Sequence, residues 1–220
     1  DVMRFLDNVL TDFINRAPDS FKDAKYSATR ERSVGLGVMG FHSFLQKKSI
    51  PLESVMSKVW NEKIFKHIQT NVDSASKKLS DERGPCPDAD EYGFKERFSN
   101  KTAIAPTASI SIICGGASPG VEPVAANSYT HKTLSGSYNV RNRYLKKVLE
   151  KYGKNDDETW STITTNQGSV EHLDFLTKNE KDVFKTAFEL DQKWIIELGA
   201  DRTSYVSQAQ SINIFLPADI

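Results

Sequence analysis

Residues 103–122 read AIAPTASISIICGGASPGVE: an apolar run breaks at Pro106 into Thr107, Ala108 and Ser109, resumes over 110–114, and stops at the paired Gly115 and Gly116. This is the order in which a strand hands an anion to the start of a helix. Several backbone N–H groups and two hydroxyls at 107–109 can converge on one anion, and the partial positive charge of a helix N-terminus favours it. The spacing predicts a short helix over 110–114. Glycine tolerates the left-handed backbone at a helix end, so Gly115 and Gly116 are expected to close it. This stretch has no Walker lysine and no GxGxxG. Spacing alone therefore leaves a plain strand, turn and helix as an equal reading.

Charge and composition narrow the classes. With 29 basic and 29 acidic side chains among 220 residues, no strong polyanion-binding surface is expected, and direct nucleic-acid binding is not anticipated. Two cysteines are too few for a secreted disulfide scaffold, and no run approaches the roughly 20 apolar residues of a membrane span. No signal-peptide pattern opens the chain, so the expected location is cytoplasmic. The length suits one large domain or part of a larger one.

Helical and short extended patterns alternate along the chain, as in α/β architecture. Residues 2–15 place Val2, Leu6, Val9, Leu10, Phe13 and Ile14 on one helical stripe, which Pro18 terminates. The polar stretch 26–32 reads as irregular. Gly35, Gly37 and Gly40 suggest close backbone packing in a tight strand-to-helix turn, followed by a helix over 42–46. A longer helix is expected over 52–79, closed by Arg83 and Gly84. The connector GPCPDADEYG at 84–93 reads as a mobile acidic loop; its Asp88, Asp90 and Glu91 lack the ligand order of a calcium loop. Further helices are expected over 143–152 and 180–198, the second stopped by Gly199. Residues 159–170 alternate like a strand ending in an Asn166, Gln167, Gly168 turn, and 205–216 reads as a strand with small polar residues.

Other chemistries find little support. His42, His67, His131 and His172 are scattered, with no i, i+4 pair and no CxxC in the chain, so no metal site is expected. Glu122 lies near the anion loop, but a loop carboxylate more often accepts backbone N–H bonds than does catalysis. Ser207, Gln208 and Gln210 are weaker candidates, because polar side chains on a late strand usually satisfy one another.

Five separated motifs in the same order carry a resemblance: RSVGLGVMGFHSFLQKK at 32–48, APTASIS at 105–111, GVEP at 120–123, NSYTHKTLSG at 127–136 and SQAQSINIFLPADI at 207–220. Together they resemble the large subunit of class I ribonucleotide reductase. The resemblance implies a ten-stranded α/β barrel that reduces ribonucleotides to DNA precursors. It also implies that Pro106, Thr107, Ala108, Ser109 and Ile110 bind the substrate phosphates. Ile110 stands where many relatives carry a hydroxyl residue, so only its backbone donor is carried over.

The same resemblance implies what lies elsewhere. The family's radical cysteine, its neighbouring asparagine and glutamate, and its reducing cysteine pair fall upstream of the matching region. Neither Cys86 nor Cys114 matches a redox position, and the family's radical-relaying tyrosines would follow the SINIF segment. Residues 1–220 are therefore expected to be the C-terminal part of the barrel domain, as a truncated piece or the product of a split gene, inactive alone. No cofactor is expected on the chain itself. The implied partners are a ribonucleotide, the remainder of the large subunit, a radical-generating metal-bearing small subunit and a dithiol reductant. A noncatalytic nucleotide-binding or assembly module is the alternative.

Overall fold

The structure is a computed structural model describing residues 1–134 and 136–216. Ser135 and 217–220, which belong to two of the motifs above, lie outside the described residues. In chain order the elements are α1 (Val2–Arg16), a 3-10 turn (Asp19–Phe21), α2 (Lys22–Glu31), α3 (Phe41–Lys47), α4 (Val55–Arg83), α5 (Pro87–Glu91), α6 (Ala108–Ile113), β1 (Ser128–Thr133), β2 (Gly136–Arg141), α7 (Arg143–Lys151), α8 (Asp157–Thr165), α9 (Lys178–Val183) and α10 (Gln192–Thr203). The chain is thus mixed helix and strand. It divides into two compact units.

The first unit comprises Asp1–Val38, Asn61–Ala105 and Gly199–Ser211. Its core gathers Met3, Val34, Val72, Leu79 and Phe98, with Leu6, Leu10, Leu36, Ile68 and Ala75 packed against them. Of the stripe expected on α1, Leu6, Leu10 and Ile14 are half-buried, and Val2, Val9 and Phe13 remain exposed. What pins α1 is polar. Asp7 is fully buried and meets Arg32 at 2.7 Å, Arg83 at 2.6 Å and Arg97 at 2.9 Å. Burial pushes its carboxyl upward, but hydrogen bonds from Arg97, Arg32 and Arg83 prevail and hold it below the usual carboxylate value.

Extended segments in this unit pair through single parallel bridges, Leu36 with Thr102 and Ile104 with Gln210. Gly37 permits the close approach anticipated there, because a Cβ at this position would lie 2.6 Å from the Ala103 carbonyl oxygen. Three expectations are corrected. Residues 26–31 are helical, because Arg32 takes a left-handed backbone (φ 45) only after α2 has ended, and its side chain turns inward to Asp7. The acidic connector is ordered as α5, with Pro87 in its first turn, and Arg30 binds Glu91 through two 2.7 Å bonds while also pairing with Asp88. Residues 205–216 supply one bridge rather than a strand, since Ser207, Gln208 and Gln210 spend their polar groups on neighbouring loops and side chains.

The second unit comprises Met39–Trp60, Pro106–Leu198 and Ile212–Ile220. Leu145, Leu149, Trp160, Ile163, Val170, Leu173, Leu176, Val183 and Phe184 form its core. An antiparallel hairpin pairs β1 with β2, Ser128 opposite Arg141 and His131 opposite Tyr138. Residues 159–165 belong to α8, not to a strand: Asp156 caps Thr159 N–H at 2.7 Å, Asp157 and Glu158 occupy the first turn, and the helical period buries Trp160 with Ile163. The turn after it is as expected, with Gln167 and Gly168 at positive φ. A side chain at Gly168 would collide with Ala126. The helix expected over 180–198 is two helices. A capping box between Thr177 and Glu180 starts α9, which ends at Phe184, and α10 starts again at Gln192 and runs through Gly199.

Candidate phosphate-binding loop

Every residue of the candidate loop lies in the second unit. α6 begins at Ala108, two residues earlier than the spacing predicts, so 108–110 form its first turn. Thr107 is the N-cap at φ 53, a left-handed backbone rare for a β-branched residue. The first intrahelical bond goes from Ser111 N–H to the Thr107 carbonyl at 2.9 Å. The N–H groups of Ala108, Ser109 and Ile110 have no partner among the described residues. A left-handed residue followed by helical ones turns successive N–H groups to one side, which makes a nest for an anion. Pro106, Ala108, Ser109 and Ile110 are exposed.

Thr107 does not cap with its own hydroxyl. Its Oγ1 accepts the Gly120 N–H at 2.7 Å, which leaves the hydroxyl proton available to a further acceptor. Residues 118–120 are in turn clamped to the start of α3. Ser118 N–H donates to Ser43 Oγ at 2.8 Å, Ser43 N–H donates to Ser118 Oγ at 3.1 Å, and Gly40 N–H donates to the Ser118 carbonyl at 2.8 Å. Thus α3 holds 118–120, and 118–120 hold Thr107. Gly115 and Gly116 close α6 at φ 83 and φ 70, as the sequence predicts.

The neighbouring titratable groups Glu122 and His42 are buried and hydrogen-bonded within the fold. Glu122 is 5% exposed and accepts a 2.6 Å bond from Asn213 Nδ2. Burial raises its carboxyl above the usual value, and the Asn213 hydrogen bonds oppose that rise. His42 is buried, and its Nδ1 accepts the Val124 N–H at 3.0 Å. Burial lowers its pKa to about 4, against a smaller opposing contribution from the Val183 backbone. Cys114 is exposed, and Cys86 is buried at the start of α5. Among the described residues no three His, Cys, Asp or Glu side chains gather to hold a metal ion. No described helix is long and apolar enough to cross a membrane.

Sequence reasoning missed a buried amide network beside α6. Asn142 caps α7 by accepting from Tyr144 N–H and Leu145 N–H, and its Nδ2 donates to Asn127 Oδ1 at 2.8 Å and Gln46 Oε1 at 2.9 Å. An asparagine directly before the helical pattern at 143–152 was the available signal.

A mixed helix-and-strand chain with a donor-rich turn at the start of a short helix is the class that fold and loop define; the strand expected before Pro106 is reduced to single bridges at Thr102 and Ile104. The ribonucleotide reductase barrel domain family matches over residues 1–97 and 88–220. The chain belongs to that family. It is 48% identical, over its full length, to the ribonucleoside-diphosphate reductase large subunit of Invertebrate iridescent virus 6, and 43% identical to that of Invertebrate iridescent virus 3. It spans 23% and 35% of those relatives' lengths. Among solved structures, the class Id ribonucleotide reductase alpha subunit of Actinobacillus ureae matches with a TM-score of 0.89 and 39% identity, covering 97% of this chain and 39% of that one.

Proposed function

We propose that residues 1–220 act as the C-terminal part of a ribonucleotide reductase barrel domain and hold the phosphates of a ribonucleoside diphosphate at Pro106–Thr107–Ala108–Ser109–Ile110. The observation that carries this reading is the set of three unpartnered N–H groups at 108–110, beneath a threonine locked in a left-handed conformation. Diphosphate oxygens would accept from these three donors and from the Thr107 and Ser109 hydroxyls. Such bonds to a charged acceptor contribute about 1.5–3 kcal/mol each. The loop binds and orients, leaving the ribose in a fixed place for chemistry performed by other groups.

In this reading the chain works with the remainder of a large subunit, a radical-generating small subunit and a dithiol reductant, in the cytoplasm. The radical cysteine and its acid-base partners come from outside the chain, and Glu122 has a structural part. Cys114, though exposed, closes α6 and is not a redox partner. The test is a radiolabelled-product assay with the purified chain alone and with the chain coexpressed beside the missing large-subunit portion and the small subunit. The chain alone should yield no deoxynucleotide, and the complete complex should yield it. Turnover by the chain alone would overturn this division of labour. A folded, complete complex without turnover would favour a noncatalytic binding module.

A further inference from the structure

Beside α6 the second unit contains a cavity of about 380 Å³. Ala108, Ile112, Ala117, Val124, Ala126 and Val140 are among the apolar residues of its wall. The volume falls in the range of small-molecule sites, roughly 300–1,000 Å³. Gln46 also lines it and is 3% exposed. Its Nε2 is buried without a hydrogen-bond partner.

The orientation of that amide follows from backbone groups at the far end of its network. Asn127 Nδ2 donates to the Gly168 carbonyl at 3.0 Å and the Phe184 carbonyl at 2.7 Å, so its oxygen is the atom turned to Asn142. Asn142 Oδ1 is committed to Tyr144 N–H and Leu145 N–H, so its nitrogen is the atom shared by Asn127 and Gln46. Gln46 therefore gives its oxygen to Asn142, because a flip would set two donors face to face. The unused N–H groups of Gln46 are fixed as donors. A row of aligned amides polarises its last member, and a buried donor left unpaired is costly. Water is a poor guest in a mostly apolar space, since a buried water needs two to four polar partners.

We propose that this cavity binds a small, largely apolar molecule that presents a hydrogen-bond acceptor to Gln46 Nε2. No acidic side chain lines it, so a cation finds no counter-charge. Arg143 stands over Gly115, its Nη2 3.4 Å from where a Cβ would be. It has no hydrogen bond or ion pair among the described residues and adds a second donor beside the cavity, which again selects acceptors. Of the phosphate-loop residues Ala108 alone lines the cavity, and neither hydroxyl, Thr107 nor Ser109, takes part in the lining.

The test is titration of the isotope-labelled chain with 1-acetylnaphthalene and with 1-ethylnaphthalene, a near-isostere lacking the carbonyl, followed by NMR. The ketone should shift the Gln46 side-chain amide pair saturably and bind at least tenfold more tightly than the hydrocarbon. Gln46→Leu should equalise the two, and Ile112→Trp, which fills the cavity from a part-exposed position, should abolish binding of both. The comparison of the two probes in the unsubstituted chain needs no variant, so a folding defect cannot obscure it. Equal affinities there, binding of neither probe, or undiminished binding to folded Ile112→Trp would overturn the proposal.

Discussion

The Thr107 hydroxyl oxygen accepts the Gly120 N–H at 2.7 Å while Thr107 itself is held at φ 53. A β-branched residue in this region stores strain of about 1–3 kcal/mol, and persists where surrounding bonds over-determine it. Here the paired Ser43 and Ser118 bonds at the start of α3 do so. The strain fixes where the next three N–H groups point. One bond thus links the GVEP turn to the three unpartnered N–H groups at 108–110.

Thr107→Ala should weaken ribonucleoside diphosphate binding by roughly ten- to a hundredfold, the loss of one hydroxyl bond to a charged group. Thr107→Ser should recover most of the affinity, because Oγ can still accept from Gly120 and donate outward. Calorimetric titration of the three proteins checks this. Equal affinity for the alanine and native proteins would remove the hydroxyl from the site.

Some of this was legible in the sequence, and the reasons differ by element. Proline, small residues and paired glycines carry local backbone rules, so the loop, α6 and its glycine stop could be read directly. Helices with regular apolar spacing, such as α4 and α7, were legible for the same reason. Residues 159–165 were misread because their threonines are β-formers with an alternating look. A single cap at Asp156 and the burial of Trp160 with Ile163 decide for helix. The break at 184–191 depends on tertiary contacts, including Ala187 N–H on the Val124 carbonyl at 2.8 Å. The amide network at Gln46 joins residues up to 138 positions apart in sequence, from Gln46 to Phe184, so no local pattern encodes it.

Asp7→Ala should destabilise the first unit by about 3–5 kcal/mol, since it leaves the Arg32, Arg83 and Arg97 guanidinium groups clustered without their buried counter-charge. For a chain of this size that is a fall of roughly 10 °C in Tm. Because the folded carboxyl lies below its ordinary value of 3.8, its contribution is present above that pH and is lost as pH falls through the folded value. Thermal melts of native and Asp7→Ala proteins should therefore converge in strong acid. A constant gap between pH 7 and pH 2 would contradict the assignment.

His42 gives a second pH signature at higher pH. Its pKa falls from 6.5 to about 4 on burial, so the unfolded chain takes up a proton first as pH drops. Stability is complete above 6.5 and declines toward pH 4 at about 1.4 kcal/mol per unit, roughly 3 kcal/mol in all. His42→Asn keeps an acceptor for Val124 N–H and should flatten this slope. Denaturant unfolding of both proteins at pH 7, 5.5 and 4.5 provides the comparison, and parallel slopes would show that another group titrates.

Ser109→Asp tests the central claim most directly. Its carboxylate would stand at the first turn of α6, at close range to any bound phosphate, and turn attraction into repulsion. An acidic residue in a helix's first turn favours the helix, so the fold should survive. Isothermal calorimetry with a ribonucleoside diphosphate, on native and Ser109→Asp chains of matching circular dichroism and in the completed complex, should show heat of binding for the first and none for the second. Unchanged affinity in folded Ser109→Asp protein would contradict the phosphate assignment.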